Sequence, residues 1–263
     1  MSIISQQCDW ATYKMSRNIN QAVILAGGRG ERLIPLTDSM PKPMAPINGV
    51  PFLDYLIYSI VQAGIKNILI LLGYKADVII DRYNSMRNIS IEFSYGSVND
   101  QTGKRVLNAY DQLDDYFLLL YGDNYWTIEL GAMWSNYQRL GANVSTTVFS
   151  NKNGTGEYGF ENNVVIGDDN LVIKYDKNRE IIETNGVDIG YFLVSKDALD
   201  PNMSGNVSFE VDLLPEFITR KELVAHVTDT QYYFLTDILT LKDFEKAALI
   251  NNFLPLPQKY FGV

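Results

Sequence analysis

The fold is decided by the stretch Leu25-Ala26-Gly27-Gly28-Arg29-Gly30-Glu31-Arg32-Leu33-Ile34-Pro35-Leu36-Thr37, which Pro41-Lys42-Pro43-Met44 follows closely. The apolar run Ala22-Val23-Ile24 precedes it, so the pattern predicts a buried strand that enters a glycine-rich turn. Glycines let backbone N–H groups approach phosphates closely, and Arg32 and Lys42 would meet the negative charge. The stretch therefore indicates a phosphate-binding loop.

Three other kinds of loop are considered for this stretch. A dinucleotide-binding loop would read G-x-G-x-x-G, but its third glycine position holds Leu33. A P-loop would end in G-K-[ST], which this stretch lacks. The third kind is a tight turn with solvated cations. Pro41 and Pro43 fix their own φ angles, and Pro43 biases Lys42 toward an extended backbone. A rigid arm for the lysine favours a nucleoside-triphosphate loop that is not a P-loop.

Strand-like and helix-like segments alternate after this loop, which predicts an α/β fold with a doubly wound sheet. The stretch from 151 to 175 is rich in Gly, Asn and Asp and predicts hairpins. The predicted strands are 22–25, 67–72, 89–94, 116–121, 145–149, 187–194, 223–226 and 232–234. The predicted helices are 52–63, 76–83, 105–113, 130–140, 210–219 and 241–250.

Composition and charge exclude several classes of protein. The 263 residues are 46% hydrophobic and 20% charged, which is an ordinary globular composition. The length suits one large α/β domain or a domain with a small appendage. The net charge of −9 argues against a nucleic-acid partner, which would need a basic face. No apolar run approaches the ~18 residues of a membrane span. The single cysteine, Cys8, fits a reducing compartment, so a cytoplasmic location is expected. The oligomeric state stays open, a homo-oligomer included.

The motif L-A-G-G-x-G-x-R-L-x-P-L-T with P-K-P-M resembles the signature of the sugar-1-phosphate nucleotidylyltransferases. Later segments resemble further motifs of that family, from Tyr121-Gly122-Asp123-Asn124 to Asp237-Ile238. The resemblance covers about residues 21 to 248. It implies a Rossmann-like mixed sheet of the nucleotide-diphospho-sugar transferase type, with a small β-rich sugar-binding part. It also implies transfer of a nucleotidyl group from an NTP to a sugar 1-phosphate, with release of pyrophosphate.

The resemblance also implies roles for individual residues. Arg32 and Lys42 would be catalytic, and Asp123 and Asp237 would hold Mg²⁺, although either aspartate could instead cap the helix that follows it. Lys174 competes with Lys177 for the phosphate of the sugar. The implied nucleotide-binding residues are Leu25, Ala26, Gly27, Gly28, Gly30, Gln101, Gly103 and Arg105, and the implied sugar-phosphate-binding residues are Gly159, Lys177, Gly190 and Glu210.

The implied organisation is one domain with flanking segments. A nucleotidyltransferase domain spans 21–250, with a nucleotide-binding half at 21–150 and a sugar-phosphate half at 151–250. An N-terminal extension, 1–20, precedes it, and a C-terminal tail, 251–263, follows it. We expect an NTP and a sugar 1-phosphate as partners, and neither nucleic acid nor a membrane.

The sequence gives conflicting indications of the base. The segment from Pro41 to Phe52 resembles heptose- or mannose-1-phosphate guanylyltransferases, which favours guanylyl transfer. The string Thr102-Gly103-Lys104-Arg105 is similar to glucose-1-phosphate cytidylyltransferases, so a cytidylyl- or thymidylyltransferase acting on glucose 1-phosphate is the alternative. An alternative of another class is a catalytically silent regulatory or scaffold relative, which would be expected to lose the cations or carboxylates named above.

Overall fold

The protein is described by a computed structural model that covers residues 19–181 and 183–262. The predicted N-terminal extension therefore lies outside the described residues except for Ile19 and Asn20, and so does Cys8.

The strands and helices follow one another along the chain much as the sequence predicts. The strands are β1 (Gln21–Leu25), β2 (Pro46–Ile47), β3 (Val50–Pro51), β4 (Asn67–Leu72), β5 (Ser90–Tyr95), β6 (Tyr116–Tyr121), β7 (Asn124–Tyr125), β8 (Val144–Phe149), β9 (Val164–Ile166), β10 (Val172–Tyr175), β11 (Val187–Ser195), β12 (Leu223–Thr228) and β13 (Tyr233–Phe234). The α-helices are α1 (Phe52–Gln62), α2 (Ala76–Tyr83), α3 (Thr102–Asn108), α4 (Leu130–Leu140), α5 (Leu214–Thr219) and α6 (Ile238–Ile250).

A seven-stranded mixed sheet forms the centre of the molecule, in the order β12-β8-β11-β6-β1-β4-β5. Strand β1 pairs in parallel with both β4 and β6, and β11 runs antiparallel between β6 and β8. The predicted fold class, an α/β mixed sheet, is confirmed. The chain places β4 and β5 on one side of β1 and β6 on the other. At such a switch point, ligands bind in the crevice beyond the carboxyl ends of the strands, here those of β1 and β6.

Helices cover both faces of the sheet. Neighbouring residues of β1 point to opposite sides, so they enter two different apolar cores. Ala22 and Ile24 belong to one apolar core, which α1, α4 and α6 help to close. Val23 and Leu25 belong to a second core on the other face, against α3 and α5. This arrangement explains the wholly buried, continuous apolar run of β1.

Some predicted boundaries are wrong. The predicted helix 105–113 is instead α3 (Thr102–Asn108) and a separate 3-10 turn, Tyr110–Gln112. The predicted helix 210–219 begins as a π-helical turn, Phe209–Leu213, where the Ser208 side chain accepts a hydrogen bond from the N–H of Val211. Helix α6 starts three residues earlier than predicted because the side chain of Asp237 caps it.

No helix among the described residues is long and apolar enough to cross a membrane.

Candidate active site

A cavity of about 770 Å³ opens at the carboxyl ends of the central strands. The glycine loop after β1 forms one wall, and residues 121–124 at the end of β6 form another. Residues 100–102 and 105 close a third side, and residues from 157 to 210 close the fourth. The cavity thus brings together segments that are distant in the sequence at the crevice that the strand order predicts.

The glycine loop keeps its backbone open toward this cavity. A Cβ added at Gly28 would meet no described atom within 4 Å, so this wall leaves room for a close ligand. Gly30 has a φ of 64°, and a Cβ there would lie 2.7 Å from Cβ of Lys42. Glycine is thus required at position 30 both by the left-handed backbone and by the close approach of the lysine.

Lys42 reaches the cavity from a short helical turn rather than from an extended arm. Pro41 is extended, but Lys42 begins the 3-10 turn Lys42–Met44. The predicted extended backbone at Lys42 is therefore wrong, because Pro43 near the start of a turn needs no N–H partner and is accommodated. Pro43 and Met44 are buried, so the base of the turn is fixed and only the lysine side chain projects.

The Nζ atom of Lys42 lies 2.7 Å from Oδ2 of Asp123, an acceptor just beyond β6. The carbonyl of Asp123 accepts a hydrogen bond from the N–H of Leu235, next to the short β7–β13 ladder. Asp123 is thus held by its backbone on one side and by a cation on the other. The pair links the turn that follows the glycine loop to the end of β6.

Asp237 lies two residues beyond Leu235 and caps α6. Its Oδ1 atom accepts hydrogen bonds from the N–H groups of Leu239 and Thr240. These backbone bonds, Thr240 first, hold the pKa of Asp237 below its ordinary value, and the charge of Arg32 lowers it further. The neighbouring Thr236 and Arg32 line the cavity, whereas Asp237 does not belong to the described lining.

The opposite end of the cavity carries charges of both signs. The Nζ atom of Lys177 lies 2.8 Å from Oε2 of Glu210, and both residues line the cavity. Gly190 has a φ of 76°, and a Cβ there would come within 2.5 Å of the Tyr121 ring. Lys174, the alternative to Lys177, is exposed on β10 and is not in the described lining.

Asp188 lines the cavity, although the sequence did not predict it as a site residue. Its Oδ1 atom accepts hydrogen bonds from the hydroxyl of Thr146 at 2.7 Å and from the N–H of Gly190 at 3.0 Å. The pKa of Asp188 is raised from 3.8 to about 7. Burial is the main cause and the charge of Glu210 adds to it, while the two hydrogen bonds oppose the rise. Asp188 begins the segment Asp188-Ile189-Gly190-Tyr191, which resembles a motif of the sugar-1-phosphate nucleotidylyltransferases, but only Gly190 of this segment was predicted as a site residue.

Arg105, predicted to bind the nucleotide, lines the cavity and also bonds to the protein's own backbone. Its guanidinium is buried and donates to the carbonyl oxygens of Leu72 at 2.7 Å, Ser97 at 2.8 Å and Gly27 at 3.2 Å. The side chain joins the glycine loop to the ends of β4 and β5. Most N–H donors of the Arg105 guanidinium already bond to backbone carbonyls. Arg105 therefore shapes the cavity wall and has few donors left for a ligand.

Two predicted glycines are not among the described residues that line the cavity. Gly103 packs inside α3, where an added Cβ would lie 2.9 Å from the carbonyl oxygen of Val207. Gly159 accepts a hydrogen bond from Asn151 and is not in the described lining. The other predicted residues that line the cavity are Leu25, Ala26, Gly27, Gly28, Gly30, Arg32, Lys42, Gln101, Asp123, Lys177, Gly190 and Glu210.

The donor set fits a hard divalent cation only in part. Among the described residues there is no group of three or more His, Cys, Asp or Glu that could hold a metal ion. Asp123 and Asp237 each engage one carboxylate oxygen in the hydrogen bonds given above, so each has a second oxygen to offer. Mg²⁺ is bound by one or two carboxylates when substrate phosphates supply other ligands. The two aspartates are therefore compatible with Mg²⁺ once phosphates are present.

Comparison with known proteins gives one consistent result. The family model described as "Nucleotidyl transferase" matches residues 21–200. The D-glycero-alpha-D-manno-heptose 1-phosphate guanylyltransferase of Aneurinibacillus thermoaerophilus is 28% identical over 230 residues, which are 86% of this chain and 96% of that protein. The UTP–glucose-1-phosphate uridylyltransferase AglF of Haloferax volcanii is 34% identical over 112 residues, which are 42% and 46% of the two chains.

A similar solved structure is HddC from Yersinia pseudotuberculosis. It matches with a TM-score of 0.70 and 25% identity, over 87% of this chain and 99% of that one.

Proposed function

The chain belongs to the nucleotidyl transferase family, and we propose that it transfers a guanylyl group from GTP to a mannose- or heptose-type sugar 1-phosphate. It is a transferase of the class that acts on sugar 1-phosphates. The observation that carries the proposal is the single cavity in which the glycine loop, Lys42 and Asp123 face Lys177 and Glu210. The nucleotide would bind against the glycine loop, and the sugar phosphate would bind on the opposite side of the cavity.

The reaction needs no nucleophile from the protein. An oxygen of the sugar phosphate attacks the α-phosphorus of the nucleotide, the new P–O bond forms, and the bond to the β-phosphate oxygen breaks. Pyrophosphate leaves with that electron pair. The obstacle is the repulsion between two anions, so catalysis consists of positioning and charge neutralisation.

The residues divide this work between them. Backbone N–H groups around Gly28 and Gly30 bind the triphosphate, and the space beside Gly28, where an added Cβ would meet no described atom within 4 Å, supports this role. Arg32 neutralises the departing pyrophosphate. Lys42 bridges the α-phosphate and the incoming phosphate. At the other end, Lys177 binds the sugar phosphate and Glu210 accepts hydrogen bonds from sugar hydroxyls.

Mg²⁺, held by Asp123 and Asp237, would supply a positive charge that neutralises phosphate oxygens. The 2.7 Å contact between Lys42 and Asp123 keeps the carboxylate paired while phosphates are absent. When phosphates enter, Lys42 turns to them.

The preference for guanine rests on two observations. The guanylyltransferase relative matches over 96% of its own length, whereas the uridylyltransferase match covers less than half of either chain. The string that favoured cytidylyl transfer contains Gly103 and Arg105, which are engaged in packing and in backbone hydrogen bonds. These two residues therefore have a role that is independent of the base.

A thermal-shift screen tests the nucleotide. The protein would be melted with Mg²⁺ and each of ATP, CTP, GTP, UTP and dTTP at equal concentration. A ligand that binds only the folded state raises the melting temperature by mass action, so GTP should give the largest shift. A larger shift with CTP or dTTP would reject guanylyl transfer and favour the alternative.

A further inference from the structure

The turn that follows β10 carries two cations that line the cavity, Lys177 and Arg179. The carboxylate of Asp176 shapes this turn, because it accepts hydrogen bonds from the N–H of Ile181 at 2.7 Å and from the N–H of Asn178 at 3.0 Å. Arg179 has a left-handed backbone with a φ of 59°, which is uncommon for a residue other than glycine. The turn therefore fixes the backbone from which both cations project.

A second segment of the chain holds the guanidinium of Arg179 in place. The central carbon of the guanidinium lies 4.5 Å from the centre of the Tyr158 ring, and Nη1 donates a hydrogen bond to the carbonyl oxygen of Glu161 at 2.9 Å. Tyr158 also lines the cavity. The guanidinium makes no other hydrogen bond among the described residues, so most of its N–H donors are free for a ligand.

The two cations of the turn differ in their pairing. The Nζ atom of Lys177 lies 2.8 Å from Oε2 of Glu210, whereas Arg179 forms no ion pair within the part of the chain that the structure describes. Burial raises the pKa values of Asp188 and Tyr175, and the charge of Arg179 opposes both rises. The charge of Arg179 therefore acts on the end of the cavity that holds the Lys177–Glu210 pair.

The balance of charge at this end depends on Arg179. The described lining between residues 157 and 210 contains Lys177 and Arg179 as its cations and Glu157, Asp188 and Glu210 as its acids. Without Arg179, one cation would face three carboxyl groups. A phosphate monoester carries about 1.5–2 negative charges at pH 7, so it would then enter a surrounding that is already negative. A second cation is needed for such an anion to bind here.

We propose that Arg179 binds the phosphate of the sugar substrate together with Lys177, through the guanidinium N–H groups that do not bond to Glu161. A planar guanidinium keeps its charge and can donate two parallel hydrogen bonds to a phosphate, which a lysine cannot do. Tyr158 would support the flat side of the guanidinium. The inference rests on the proposed function in one respect, since it takes a sugar 1-phosphate as the second substrate.

Calorimetric titration with mannose 1-phosphate and with glucose 1-phosphate, in the absence of nucleotide, tests the inference without any need for activity. Arg179→Gln should weaken binding by about tenfold or more, because a charge-assisted pair is lost. Arg179→Lys keeps the charge but not the planar fork, so its affinity should be intermediate. Lys174→Gln is the matched control: it removes one positive charge from an exposed residue of β10 outside the described lining, and it should bind as the wild type does.

Steady-state pyrophosphate release gives a second measurement on the same variants. Arg179→Gln should raise the KM for the sugar phosphate by about tenfold, while the KM for the nucleotide stays within about twofold, because the lost charge-assisted pair is to the sugar phosphate. Circular dichroism melts would show that each variant is folded. A residue that served only to hold the turn would give no recovery in Arg179→Lys.

The inference is overturned if the wild type binds neither sugar 1-phosphate, if Arg179→Gln binds as tightly as the wild type, or if Lys174→Gln is weakened to the same extent. An equal rise in both KM values would also contradict it. A wild type that binds a sugar 1-phosphate through Arg179, but releases no pyrophosphate with any nucleotide, would contradict the proposed function and support this inference.

Discussion

The Nζ atom of Lys42 and the Oδ2 atom of Asp123 lie 2.7 Å apart across 81 residues of sequence. The lysine side chain is 13% exposed and the aspartate side chain 35%. The pair joins the turn that follows the glycine loop to the end of β6. A cation and a carboxylate from these two segments are therefore paired in the lining of the cavity.

Replacing Lys42 should abolish most of the activity while leaving the fold intact. Lys42→Ala is expected to lower kcat by about 10²–10³-fold, by analogy with the loss of one donor to a developing oxyanion. The free energy of unfolding should fall by only about 1 kcal/mol or less, because Asp123 keeps access to solvent. Steady-state pyrophosphate release and urea unfolding measure the two effects. Lys66→Ala, at an exposed lysine before β4, should change neither.

Arg105→Ala should both lower the free energy of unfolding and weaken nucleotide binding. The substitution removes the donors that the carbonyls of Gly27, Leu72 and Ser97 accept. Buried acceptors without partners cost free energy, so we expect a loss of about 2–4 kcal/mol in the free energy of unfolding. The KM for the nucleotide should rise more than the KM for the sugar phosphate, because the glycine loop loses its support. Equal effects on both KM values would contradict the positioning role.

Two glycine substitutions separate ligand contact from packing. Gly28→Ala adds a methyl group where no described atom lies within 4 Å, so the melting temperature should hardly change while the KM for the nucleotide rises. Gly103→Ala presses the new Cβ against the Val207 carbonyl at 2.9 Å and should cost about 1–3 kcal/mol of stability. Thermal melts and nucleotide titrations distinguish the two. If Gly28→Ala binds nucleotide normally, the loop does not approach the phosphates.

The carboxyl group of Asp188 should make stability fall as pH rises. Its pKa is raised from 3.8 to about 7 in the folded protein, so between these values the folded state binds more protons than the unfolded state. The contribution of Asp188 to stability is therefore complete below pH 3.8 and is lost as pH rises through about 7. The whole loss is at most about 4 kcal/mol.

Asp188→Asn removes this titration and keeps the shape of the side chain. As pH rises from 5 to 8, the wild type should lose free energy of unfolding relative to the variant, because only the wild type has the titrating carboxyl group. Urea unfolding at a series of pH values measures it. A difference that does not change with pH would show that the carboxyl group is ionised throughout.

The sequence predicts those features that depend on short stretches of chain. The buried run of β1, the glycines after it and the strand that ends before Asp123 are all local patterns, and the fold class and the family follow from them. The pairing of Lys42 with Asp123 is different, because it depends on two strands meeting at one edge of the sheet. The sequence predicts that the two segments meet at that edge, but not that Lys42 and Asp123 are in contact.

The environments of three residues could not be predicted from the sequence, for physical reasons. Arginine is mostly exposed in proteins, so nothing local announces that Arg105 is 4% exposed and bonded to the backbone. Gly103 lies in a string that resembles a nucleotide-binding motif, yet its lack of a side chain serves close packing. Asp188 becomes unusual only through burial, which strand pairing creates. The roles of the cavity residues in binding stay predictions.

Pyrophosphate release with purified protein and Mg²⁺ tests the central claim most directly. Each of five nucleoside triphosphates would be combined with mannose 1-phosphate, D-glycero-alpha-D-manno-heptose 1-phosphate or glucose 1-phosphate. The account predicts rapid release from GTP with a mannose- or heptose-type 1-phosphate, and none when the sugar phosphate is omitted. Release that prefers CTP or dTTP with glucose 1-phosphate would contradict guanylyl transfer. No release with any pair would contradict the proposed chemistry altogether.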